Sequence, residues 1–82
     1  MDEGYNGWPN HETWVVNLWL SNDEPIYMYM QDVDLTTGEK FEIFYKFGVP
    51  YHLKKSILQD IGKHGSIKNV DWDKLAEAWN EE

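Results

Sequence analysis

Cysteine and arginine are both absent from the 82 residues of this chain. Without cysteine there is no disulfide framework and no thiolate metal site. Without arginine the chain lacks the side chain best suited to bidentate contacts with phosphate and guanine, which argues against direct nucleic-acid binding. Residues 1–39 hold no lysine or arginine, against eight acids: Asp2, Glu3, Glu12, Asp23, Glu24, Asp32, Asp34 and Glu39. No apolar run reaches the roughly 20 residues that a membrane span needs. The start, Met1-Asp2-Glu3-Gly4, is acidic where a signal peptide carries positive charge. The expectation is a cytoplasmic protein with no membrane partner.

Aromatic residues, by contrast, are plentiful. They make up 16% of the chain, with five Trp, five Tyr and three Phe, and hydrophobic residues of all kinds reach 41%. A chain of this length buries only about 60–65% of its unfolded surface, so one dense domain over residues 1–82 is expected, with large rings in place of covalent staples. All seven lysines lie from Lys40 onward, where seven acids balance them, so the whole net charge of −8 sits in the first half. Such a half repels phosphate and attracts basic protein surfaces.

Periodicity predicts a mainly α protein, a compact bundle of four to five short helices. Asn10 can cap a first helix from about His11 to Leu20, with Trp14, Val15, Leu18 and Trp19 on one stripe that Val16 and Leu20 widen. Trp8 could fold back on its first turn as a hydrophobic staple. Ser21-Asn22-Asp23 ends that helix and offers new caps. Pro25 suits the first turn of a second helix, Glu24 to about Asp32, with Ile26, Tyr27 and Met30 inward. Thr36-Thr37-Gly38 reads as a turn. Residues 41–47 fit a short buried helix, yet Phe41, Ile43, Tyr45 and Phe47 also alternate as in a strand. A hairpin of 26–33 with 41–47, giving an α+β fold, therefore stays open. Pro50 opens a helix to about Lys63 with Leu53, Ile57 and Ile61 inward and Gly65 as its stop. Asn69 or Asp71 caps a last helix with Trp72, Leu75, Ala76 and Trp79 at i, i+3, i+4 and i+7.

The sequence carries no complete catalytic motif. His11-Glu12 begins like a zinc-helix motif, but Val15 stands where HExxH needs its second histidine. His52 and His64 have no evident co-ligand, so neither a metal nor a cofactor is expected. No GxSxG occurs, no glycine-rich phosphate loop occurs, and no enzyme is expected. Trp14, Trp19, Trp72 and Trp79 fall on helical stripes, which assigns them to packing rather than to base stacking.

The stretch from Tyr5 to Asp23, YNGWPNHETWVVNLWLSND, resembles a family of small phage, plasmid and prophage proteins whose N-terminal pattern reads YNGWxNxETWxVxLWxxND. The ending Val70-Asp71-Trp72-Asp73-Lys74-Leu75-Ala76-Glu77 is similar to that family's C-terminal helix. The two matches cover about a third of the chain, and residues 26–48 depart from the pattern. The resemblance implies a mobile-element origin and no catalytic residues. Small acidic proteins of that origin often antagonise host defence, as anti-CRISPR or antirestriction proteins. The resulting expectation is an inhibitor that binds a basic, nucleic-acid-binding surface of a host protein complex, a CRISPR effector first among them. Its contacts would come from Asp2, Glu3, Asp23, Glu24, Asp32 and Asp34. The alternative is a phage structural or accessory module that associates through exposed aromatics.

Overall fold

The computed structural model describes residues 7–81. Among them lie five α-helices and one 3-10 turn: α1 His11–Asn22, α2 Glu24–Met30, α3 Gly38–Gly48, α4 Tyr51–Ile61, the turn Ile67–Asn69, and α5 Trp72–Asn80. No strand occurs among the described residues, so the helical bundle is the fold and the hairpin of 26–33 with 41–47 does not form.

Side-chain caps set most helix starts. Asn10, Asp23, Thr37 and Asp71 each accept a backbone N–H of the first turn, from Thr13, Ile26, Lys40 and Lys74 respectively. Each bond satisfies one of the donors that a helix start leaves without an intrahelical partner. α4 follows Pro50 and has no side-chain cap. Two ends fall short of expectation. α2 stops at Met30 because Gln31 and Asp32 close a tighter turn onto the carbonyls of Met28 and Tyr29. α4 stops at Ile61 because Gly62 takes φ +86°, a conformation that glycine adopts without the Cβ penalty. Gly65, expected as the stop, has another role. A Cβ there would meet the Ile61 carbonyl oxygen at 2.9 Å and Glu12 Oε2 at 3.0 Å.

Residues 41–47 resolve as helix because that winding gathers Phe41, Phe44 and Tyr45 onto one side. There Phe41 and Tyr45 meet Trp72 of α5, with ring centroids 6.3 and 5.2 Å apart. Gly38, expected in a turn, is the buried first residue of α3. A Cβ on it would lie 2.7 Å from the backbone nitrogen of Asp73, so only glycine lets α3 and α5 approach this closely.

α1 is the hub and touches α2, α4 and α5, while α3 packs chiefly on α5. Its buried face is not centred on Trp14 and Leu18. It consists of Val15, Val16 and Leu20 with two polar residues, Glu12 and Thr13. All five tryptophans pack against the core from partly buried positions. Trp8 lines a small cavity with Asn17, Leu20, Tyr27 and Trp79, further along α1 than a staple onto the first turn reaches.

Candidate interaction surface

The N-terminal signature forms a polar clamp. Asn10 Oδ1 accepts from the Thr13 backbone N–H at 2.9 Å and from the Thr13 hydroxyl at 2.6 Å. Its amide donates to the carbonyl of Asn69 at 2.7 Å. Thr13 Oγ1 in turn accepts from the Asp71 backbone N–H at 2.8 Å. Glu12 Oε2 accepts from the Ser66 backbone N–H at 3.2 Å and from the Asn69 side-chain amide at 3.1 Å. The Asn69 hydrogen bond is the largest cause holding the Glu12 carboxyl below its ordinary value, against desolvation, which raises it. Among the described residues, Glu12 and Thr13 are the two buried polar side chains of the core. Buried, and with two donors on Oε2, the Glu12 carboxylate fastens α1 to the segment around Ser66 and Asn69.

The six acids expected at a partner surface divide. Asp2 and Glu3 lie outside the described residues. Asp23 is occupied as the cap of α2. Asp34 accepts from the Thr36 backbone and hydroxyl and pairs with Lys40 at 2.6 Å. The hydrogen bond from Lys40, then those from Thr36, hold its pKa down to about 2. Glu24 and Asp32 are exposed and pair with no described residue, which leaves them available to a partner. Among the lysines, Lys46 pairs with Glu42, and Lys54 donates to the Lys46 carbonyl while standing over the Tyr45 ring.

An apolar groove between α2 and α3 went unread in the sequence. It opens about 420 Å³ and is lined by Tyr29, Val33, Ile43, Phe44, Phe47 and Gly48, with Asp34 and Lys40 at its polar end. Ile43 is 51% exposed, Tyr29 50% and Phe47 84%, while Met28 and Tyr51 are also largely exposed. The signal lay in the run 41–47, where Phe41, Ile43, Phe44, Tyr45 and Phe47 are too many large apolar residues for one helical face. Once α3 buries Phe41, Phe44 and Tyr45, the other two must face water. Gly48 keeps the floor of the groove flat, since a Cβ there would lie 2.8 Å from the Phe44 ring.

Among the described residues no group of three or more His, Asp or Glu side chains is placed to hold a metal ion. No described helix is long and apolar enough to cross a membrane. The His11 ring nitrogen Nε2 lies 3.0 Å from the Asp60 carbonyl, and the Trp19 indole donates to the Asp60 carboxylate at 2.6 Å, so both tie α1 to α4. The described surface carries an apolar groove between α2 and α3, and the exposed acids Glu24 and Asp32 stand at the start of α2 and just after its end in the sequence. The model of a family of unknown function, DUF7249, matches residues 1–81. No curated protein and no solved structure matches the chain.

Proposed function

The chain belongs to the DUF7249 family, whose function is unknown, and from that premise we propose that it is a binding protein of a mobile element that inhibits host defence. It works in the cytoplasm of a bacterial cell by occupying the basic, nucleic-acid-binding surface of a defence complex, with a CRISPR effector as the first target to test. The observation that carries this reading is the distribution of charge. Residues 1–39 contain eight acids and no lysine or arginine, and among them Glu24, at the start of α2, and Asp32, in the turn that follows it, are exposed. A basic groove evolved for phosphate attracts such a surface from a distance, which speeds encounter and makes binding salt-sensitive.

The test is capture on the immobilised protein from lysates of CRISPR- and restriction-bearing bacteria at low and high salt. A nucleic-acid-binding complex retained at low salt and released at high salt is the expected result. The double variant Glu24→Lys with Asp32→Lys should retain far less of it. Equal retention by that variant would sink the acidic-face reading.

The exposed groove favours a second reading, a phage structural or accessory module that associates through apolar contacts. That module would hold its partners at high salt and be indifferent to the two charge reversals.

A further inference from the structure

We infer that the groove between α2 and α3 is a docking site for a basic amphipathic helix of a partner protein. The inference rests on the reading above that this protein acts by binding another, and it names the chemistry of the segment bound.

The groove exists because its two walls belong to different packing pairs. α2 packs on α1 and α3 on α5, so a gap is left where the two helices pass each other. Phe44 and Val33 floor the gap, Tyr29 stands on one side, and Ile43 and Phe47 stand along the other. Ile43 and Phe47 are one helical turn apart, about 6 Å along the axis. An occupant whose apolar residues recur at i and i+4 presents the same spacing, which is how amphipathic helices anchor in grooves of this kind. Three of its large apolar lining residues, Tyr29, Ile43 and Phe47, are half or more exposed.

Charge selects the occupant. Residues 23–48, which contain both walls, hold six acids (Asp23, Glu24, Asp32, Asp34, Glu39 and Glu42) against two lysines, a net charge of −4. Lys40 pairs with Asp34 and Lys46 with Glu42, and Asp23 caps α2, which leaves Glu24, Asp32 and Glu39 exposed with no ion pair to a described residue and no lysine of the segment unpaired. A second copy of this chain would bring a like wall against this one and add its own −8 to the assembly, so self-pairing at the groove works against the charge. A helix with lysine or arginine flanking its apolar stripe meets complementary charge instead.

The probe is a short fluorescein-labelled helix of Leu and Lys, with Leu at i, i+3, i+4 and i+7. A twin carrying Glu for each Lys and a scrambled Leu/Lys peptide serve as controls. Fluorescence anisotropy at low salt should show saturable binding of the Leu/Lys helix and little binding of either control. Phe47→Asp and Ile43→Asp, both at exposed positions, should each weaken it by about tenfold or more. Asp32→Lys should weaken it by about threefold. Circular dichroism checks that each variant keeps its helices. Equal binding of the scrambled peptide, or no loss with Phe47→Asp in a folded variant, overturns the proposal. So does concentration-dependent dimerisation in light scattering that Phe47→Asp abolishes, since the occupant would then be a second copy. If groove binding fails while salt-releasable capture by Glu24 and Asp32 survives, only the groove proposal falls. If groove binding holds while no defence complex is captured, the inhibitor reading falls and the docking site stands.

Discussion

The clamp at the start of α1 and the groove between α2 and α3 solve opposite problems. In the clamp, polar atoms have left water, and each of the groups named above has been given a protein partner. Glu12, Thr13 and Asn10 are matched to Ser66, Asn69 and Asp71 across more than fifty residues of sequence. In the groove, apolar atoms have stayed in water without a partner, with Phe47 almost fully exposed. A buried polar group without a hydrogen bond costs more than the bond itself contributes, so an incomplete clamp destabilises the fold. An exposed ring carries no such requirement. The difference separates the part of the molecule that specifies structure from the part with affinity still to use.

Phe44 connects the two kinds of region, because it is buried in the core and also floors the groove. Phe44→Ala should cost about 3–5 kcal/mol, the range for deleting a buried ring and leaving a cavity. Urea unfolding followed by tryptophan fluorescence would measure it. A loss below about 1 kcal/mol would mean that the site collapses freely and that the groove is not rigid.

Thr13→Val comes next, at about 2 kcal/mol. Valine keeps the shape of a fully buried side chain but cannot accept from the Asp71 backbone N–H or donate to Asn10. The urea midpoint should fall while its slope stays constant. An unmoved midpoint would show that water satisfies Asp71 equally well and that the clamp does not specify the fold.

The sequence made the clamp's residues visible but not their purpose. Asn10, Asp23 and Asp71 were legible as caps because a cap is local, needing only a short polar side chain ahead of an apolar run. Glu12 and Thr13 were not legible as core residues, because their partners lie more than fifty positions away and no periodicity announces a long-range hydrogen bond. The same distance hid the close approach of Gly38 to Asp73 and the fit of Gly65 against Ile61. The helix over 41–47 stayed ambiguous for a different reason. Its surplus apolar residues satisfy a strand period as well as a helical one, and that surplus is what makes the groove. Among the acids of the expected partner surface, Asp23 and Asp34 show how composition overcounts. A cap and a loop ion pair use carboxylates that charge alone cannot distinguish from available ones.

Acid titration sharpens the contrast through two carboxylates. Glu12 is held below its ordinary 4.5 by the Asn69 hydrogen bond, so the unfolded chain binds its proton first. Its contribution is present above pH 4.5 and is lost as pH falls through the lower folded value. Asp34 behaves in the same sense over a lower window, between its ordinary 3.8 and about 2. The two differ in exposure. Added salt should erase much of the effect of Asp34→Asn, whose partner Lys40 is a surface lysine, and leave the effect of Glu12→Gln in place. The measurement is the urea midpoint of each variant against pH, at two ionic strengths. Equal salt sensitivity would mean that Glu12 is as solvated as Asp34 and that the clamp opens readily.

The smallest effect on stability should come from the most conspicuous residue. Phe47 is 84% exposed, so truncating it returns little area to water and opens no cavity. Phenylalanine and serine have similar helix propensities, which leaves α3 itself almost indifferent to the exchange. Phe47→Ser should therefore move the unfolding free energy by no more than about 0.5 kcal/mol, in the range of ordinary surface substitutions. In the same protein it should abolish most binding of the Leu/Lys helix. A residue that is nearly silent in folding and dominant in binding is what separates an interaction surface from a core. If Phe47→Ser instead lowered the urea midpoint as far as Thr13→Val does, the ring would belong to the packed structure, and the distinction between clamp and groove would fail at its sharpest point.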